Sequence, residues 1–151
     1  MSNESAQATM GASAEDARQE LDRRCDLVEE AYEFMLAYAA QGLTSDAGSS
    51  SGSQIREFLK RADAALSGIG DVFMTFVERL GREPKAPYAA FIRVLDRDAQ
   101  DAQAALQLVL AQPAISSQLV DNLNASIHLR SLLTDLFLID EILKITSNTR
   151  G

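Results

Sequence analysis

The chain has 151 residues, 46% apolar and 24% charged, with a formal net charge of −8 and a pI near 4.6. That is enough apolar material for one domain with its own core and no staples. The 14 basic residues are scattered, and a reader of nucleic-acid phosphates or of an anionic membrane surface needs them clustered, so neither is expected as a partner.

Residues 1–13 are small and polar without periodicity, the composition of a disordered tail. Ser13 suits an N-cap, with Glu15 and Asp16 in a first turn where negative charge complements the helix dipole. A first helix is expected over residues 14–41. Its Leu21, Cys25, Val28, Tyr32, Met35 and Ala39 recur at spacings of four and three, the rhythm of a bundle-facing seam, and Gly42 offers a stop. Residues 43–53, LTSDAGSSSGS, read as a flexible Gly/Ser loop.

The second helix, 54–80, has the cleanest seam: Ile55, Leu59, Ala62, Leu66, Ile69, Phe73, Phe76 and Leu80. Its register continues across Gly68 and Gly70, which argues for one helix rather than two. Gly81 and Pro84 end it, and Pro87 opens a third helix over 87–111 with Tyr88, Ile92, Leu95, Ala99, Ala102, Leu106 and Val109 on one side. After Pro113 a fourth helix spans 116–146, its seam formed by Ala125, Leu129, Leu132, Leu136, Ile139 and Leu143, and residues 147–151 form a frayed C-terminus. Four helices of similar length with short or flexible connections predict an all-α fold, an antiparallel up-down-up-down bundle of left-handed twist spanning 14–146.

Cysteine and histidine occur once each, as Cys25 and His128. One cysteine rules out an intrachain disulfide and multi-cysteine metal sites and suits a reducing compartment. The first residues carry no basic and apolar regions of a signal peptide, and no run approaches the ~20 apolar residues of a membrane span, so a cytoplasmic location is expected. A di-metal carboxylate bundle needs Glu-x-x-His pairs, and the residue three before His128 is Ala125. For haem, Met35 and His128 fall at levels roughly 10 Å apart along the helices, and no CxxCH motif occurs. No metal and no cofactor are expected.

Asn124, His128, Ser131 and Asp135 follow one another at spacings of four, three and four and form a polar stripe on the fourth helix. Helix levels bring Tyr32 beside it, which makes the five residues a candidate polar pocket for a ligand or a titrating group. The plainer reading is a partly solvated boundary strip whose polar groups satisfy one another. Cys25, about a turn away, makes a weaker Cys25/His128 nucleophile pair, since a core cysteine is ordinarily inert. In architecture, acidity and its mid-helix histidine the chain resembles histidine phosphotransfer domains, and that resemblance implies His128 as a phosphoryl acceptor. Where those domains usually carry Lys and Gly three and four residues after the histidine, this chain has Ser131 and Leu132, with Arg130 one step earlier.

Two surfaces remain. Asp22, Asp26, Glu29 and Glu33 form an acidic stripe on the first helix, a solvated face or a docking face for a basic partner. The fourth helix is apolar on more than its seam: Leu133, Phe137, Leu138, Ile142 and Ile145 lie outside it, and a helix apolar nearly all round asks to be covered. The expected function is therefore a non-enzymatic interaction module: a small acidic adaptor, an assembly or export chaperone, or a regulatory subunit. Its partner would be another protein or a homodimer mate. Export chaperones of flagellar and type III systems resemble the chain in size, acidity and helical content. The alternative is a phosphotransfer or ligand-sensing bundle centred on His128.

Overall fold

The structure, a computed structural model, describes residues 3–145, with side chains from residue 13. Among the described residues the fold is all-helical, without strands. The six helices are α1 (Asn3–Ala39), α2 (Ser50–Leu66), α3 (Ile69–Leu80), α4 (Lys85–Leu110), α5 (Ser117–Ala125) and α6 (Ile127–Leu143). No helix among them is long and apolar enough to cross a membrane. The frayed end expected at 147–151 lies outside the described residues.

The expected tail is a correction. Helix α1 begins at Asn3, so Ser13 lies inside it rather than capping it. Residues 3–13 hold Ala, Glu, Gln and Met with one glycine and no proline, and extending a helix already nucleated costs far less than starting one. Glu15 no longer answers a helix end. It pairs instead with Arg18 at 2.6 Å, and the neighbouring Glu20 binds both Arg23 (2.7 Å) and Arg24 (2.9 Å).

The seam of α1 is buried at Leu21, Cys25, Val28 and Met35 as its spacing predicts, but towards its end Ala31 and Tyr38 replace Tyr32 and Ala39. The reason is visible at Tyr38. This fully buried ring sends its hydroxyl to the Ile115 carbonyl oxygen at 2.7 Å, and Ser117 Oγ donates to the Tyr38 carbonyl oxygen at 2.6 Å.

The expected second helix is two helices. Its seam does keep register from Ile55 through Phe76, all buried, yet the backbone breaks at Ser67 and at Gly68, whose φ is +67°. Other helices hold both sides of the break. Arg24 Nη1 donates to the Ala65 and Ser67 carbonyl oxygens at the end of α2, and the Asp96 carboxylate of α4 accepts the Gly70 amide at the start of α3. Helix ends leave such groups orphaned, and here charged side chains from α1 and α4 satisfy them. Gly70 has to be small, because a Cβ there would stand 2.5 Å from Asp96 Oδ1.

The Gly/Ser connection is also more ordered than its composition suggests. Ser49 caps α2 by accepting the Gly52 amide, and Asp46 binds Arg56 at 2.7 Å and accepts the Ile115 amide at 2.8 Å. Arg56 in turn donates to the Leu110 and Gln112 carbonyl oxygens, so one guanidinium joins this loop to the end of α4. A loop tied by a charge pair and several backbone contacts has little freedom left.

The expected fourth helix divides at Ser126, whose extended backbone ends α5 and whose hydroxyl caps α6 by accepting the Leu129 amide. Helix α1 packs along α2, α3 and α5, whereas α6 packs chiefly on α4. Leu129, Leu132, Leu136, Ile139 and Leu143 enter the core from α6, with Ile92, Leu95, Ala99, Ala102, Leu106 and Val109 from α4.

Candidate functional site

The break at Ser126 decides the fate of the polar stripe. An unbroken helix would keep Asn124, His128, Ser131 and Asp135 on one side, but an extended residue between the second and the first of these resets the phase. Asn124 points inward, 7% exposed, and donates from Nδ2 to the Met35 carbonyl oxygen at 3.2 Å. His128 points to solvent, and Ala125, expected in the seam, is exposed. Ser131 and Asp135 turn instead towards α4. Tyr32, half-buried, packs against the core from α1. The five residues are not assembled into one pocket, and Cys25 is buried while His128 is exposed.

What α6 does build is a seam with α4 that is polar at one end and apolar at the other. The polar end is a cleft of about 410 Å³ lined by Asp98 of α4 and by Ile127, Arg130, Ser131, Thr134 and Asp135 of α6. Here the Asp98 and Asp135 carboxyls meet. Burial, together with the hydrogen bond and negative charge of Asp98, pushes the Asp135 carboxyl up to about 7. Asp135 Oδ2 is buried without a hydrogen-bond partner, an expensive place for a full negative charge. Two carboxyls so placed are best satisfied by a shared proton.

The apolar end is a second cleft of about 410 Å³. Pro84, Pro87, Tyr88 and Phe91 form one wall, and Leu138, Ile139 and Ile142 of α6 form the other. Ile139 is buried at 2%, while Leu138 and Ile142 remain 51% and 47% exposed, which makes the cleft an open apolar trough rather than a closed core. Phe137, at 58%, is exposed as well but is not among the residues that line it. Pro84 and Pro87 stiffen the wall they contribute, because their rings hold φ near −65°.

Of the five residues expected on the covered face of the fourth helix, Phe137, Leu138 and Ile142 are outward. Leu133 and Ile145 are not: they are 7% and 0% exposed. This is a correction with two causes. The new phase of α6 widens its buried face to include Leu133. Lys144, at φ +54°, turns the chain so that Ile145 folds back under α1, where its carbonyl oxygen accepts from Arg18 Nη1 at 3.0 Å. The acidic residues Asp22, Asp26, Glu29 and Glu33 all lie on the uninterrupted α1, Asp26 and Glu33 exposed and the other two partly so.

The α4 wall of the trough was not singled out in the sequence, although Tyr88 and Phe91 lie three apart beside two prolines. Tyr88 reads equally well as ordinary seam. The Asp98–Asp135 meeting has no local signal, since the partners sit on different helices 37 positions apart in the chain. Compared with known proteins, the chain matches no family model, no curated protein and no solved structure.

Proposed function

We propose that the protein is a non-enzymatic interaction module, an adaptor, assembly chaperone or regulatory subunit, that receives an apolar element of a partner in the trough between the start of α4 and the second half of α6. The observation that carries this reading is the openness of the trough along Leu138 and Ile142, large side chains left about half exposed around an apolar floor. Apolar grooves of this kind accept amphipathic helices through side chains spaced three and four apart. The acidic stripe of α1 steers a basic partner, raising the encounter rate more than the affinity.

The architecture behind the trough is read as a left-handed up-down-up-down four-helix bundle in which α2 with α3, and α5 with α6, each make one broken member. Supporting this are the contacts of Arg18 with Ile145, Arg24 with Ser67 and Tyr38 with Ile115, and the packing of α1 on α2, α3 and α5. The lone cysteine fits a cytoplasmic setting. A homodimer mate is the second occupant we retain, because a second copy offers the same exposed α6 residues.

A photo-crosslinking amino acid at Leu138, in cells of the natural source, tests the reading. Adducts are expected at Leu138 and not at Leu108, which is 66% exposed on α4 and outside the trough. Sedimentation of the purified chain separates a self-adduct from a heterologous one. Equal yields at both positions together with a strictly monomeric chain would remove the proposal.

A further inference from the structure

The two ends of the α4–α6 seam are neighbours. On α4, Asp98 follows Phe91 by seven residues, about two helical turns, and on α6 Asp135 precedes Leu138 by three, less than one turn. Both pairs of residues face the same seam. Any force between the two carboxyls therefore acts on the helices that form the walls of the apolar trough.

We propose that Asp98 and Asp135 form a proton-operated latch between α4 and α6: sharing a proton, they hold the seam narrow, and when that proton leaves, their repulsion widens it and opens the apolar trough further. This rests on the trough being the docking site. A hydrogen bond between a carboxyl and a carboxylate is attractive, and the same two groups fully charged repel across a partly buried seam that screens them poorly. The Oδ2 atom of Asp135, buried with no hydrogen-bond partner, favours the protonated form further.

Helix α6 packs on α4 and α5, and the charged groups around the latch are few. Among the described residues lining its cleft they are Asp98 from α4 and Arg130 from α6, the latter exposed at the rim; α5 supplies none. The transition falls near neutrality, where burial and the Asp98 charge place the Asp135 carboxyl at about 7. Opening exposes more of Ile139 and of the Tyr88 and Phe91 faces, so capture of apolar ligands strengthens as pH rises.

The test uses the full chain, carbon-13 NMR of its aspartate carboxyls and Nile red as an uncharged apolar probe. In the native protein Asp135 titrates near neutrality, and dye emission rises severalfold over the same interval. Asp98→Asn, which keeps a hydrogen-bond donor and removes the charge, lowers the Asp135 midpoint by about two units or more and flattens the dye response. Asp135→Asn flattens it equally. A dye response that is flat in the native protein, or that survives Asp98→Asn, overturns the latch. Leu138→Asp distinguishes the two ideas. Dye emission indifferent to that change removes the trough as docking site, and the latch itself then falls if Asp135 titrates in the ordinary carboxylate range.

Discussion

The Arg24 guanidinium of α1 donates to the Ser67 carbonyl oxygen at 2.6 Å, at the point where one continuous apolar seam passes from α2 to α3. The same nitrogen reaches the Ala65 carbonyl oxygen at 3.2 Å, and Nε holds Glu20 at 2.9 Å. A single side chain thus satisfies a helix end and orients itself by a carboxylate on its own helix. Arg24→Ala is expected to cost about 2 kcal/mol, within the range for hydrogen bonds to a charged donor. Thermal unfolding followed by circular dichroism should show a melting temperature lower by about 4–8 °C. An unchanged melt would mean that water replaces the guanidinium at no cost.

Gly68 offers an independent check on the break. Its φ of +67° lies in the left-handed region, where a Cβ meets the following carbonyl oxygen, and nothing else crowds the position. Gly68→Ala is therefore expected to destabilise by about 1–2 kcal/mol through backbone strain alone. If instead the chain welcomed a straight helix through 54–80, the substitution would stabilise it, a difference of sign that denaturant titration resolves.

Tyr38→Phe isolates one buried hydrogen bond. It removes the hydroxyl that satisfies the Ile115 carbonyl oxygen and leaves the ring and its packing in place. The expected loss is about 1–2 kcal/mol, the penalty of an orphaned buried acceptor. Near-ultraviolet circular dichroism should stay native apart from the tyrosine signal.

Acid should undo the loop that Asp46 ties down. The Arg56 guanidinium, and after it the Ile115 amide, hold the Asp46 carboxyl below its usual value, so the folded state binds this proton more weakly than the unfolded chain does. The stabilisation is present above the ordinary carboxylate pKa and is lost as pH falls through and below it. Asp46→Asn should lower stability at pH 7 by about 1–2 kcal/mol and flatten the acid limb of a stability profile. A native acid limb in that variant would place the acid sensitivity elsewhere.

Asp135 carries the opposite sign. Its carboxyl, raised from 3.8 to about 7, binds its proton more tightly in the folded state. Its contribution is full below pH 3.8 and declines as pH rises through about 7, a window that Asp46 does not touch. The group is partly solvated, which limits the decline to about 1 kcal/mol, or a melting temperature about 2–4 °C lower at pH 8 than at pH 5. Asp135→Asn should remove most of that difference.

The candidate site was only half legible beforehand. Phe137, Leu138 and Ile142 stand out because they are large, apolar and off the main seam of their segment, and periodicity alone finds them. Leu133 looked the same, and only the new phase of α6 shows it to be core. The polar stripe failed for one local reason: Ser126 accepts the Leu129 amide and starts a helix, and a serine inside a helical pattern does not announce that role. Tyr32 and Tyr38 differ by nearly two turns on one helix. Which of them is buried depends on where Ile115 and Ser117 lie, and residues nearly 80 positions away leave no trace in the spacing.

The amino-acid sequence by itself determined the helical class, most of the buried seam from Leu21 to Leu143, the helix ends at Gly81 and Ser116, and an excess of apolar surface on the last segment. These follow from local propensity and from periodicity, properties of neighbours along the chain. Only the tertiary structure decided the breaks at Gly68 and Ser126, the fixing of the loop by Asp46 and Arg56, and the meeting of Asp98 with Asp135. Each of these depends on long-range packing that brings residues of separate helices together or aligns broken helices against their neighbours.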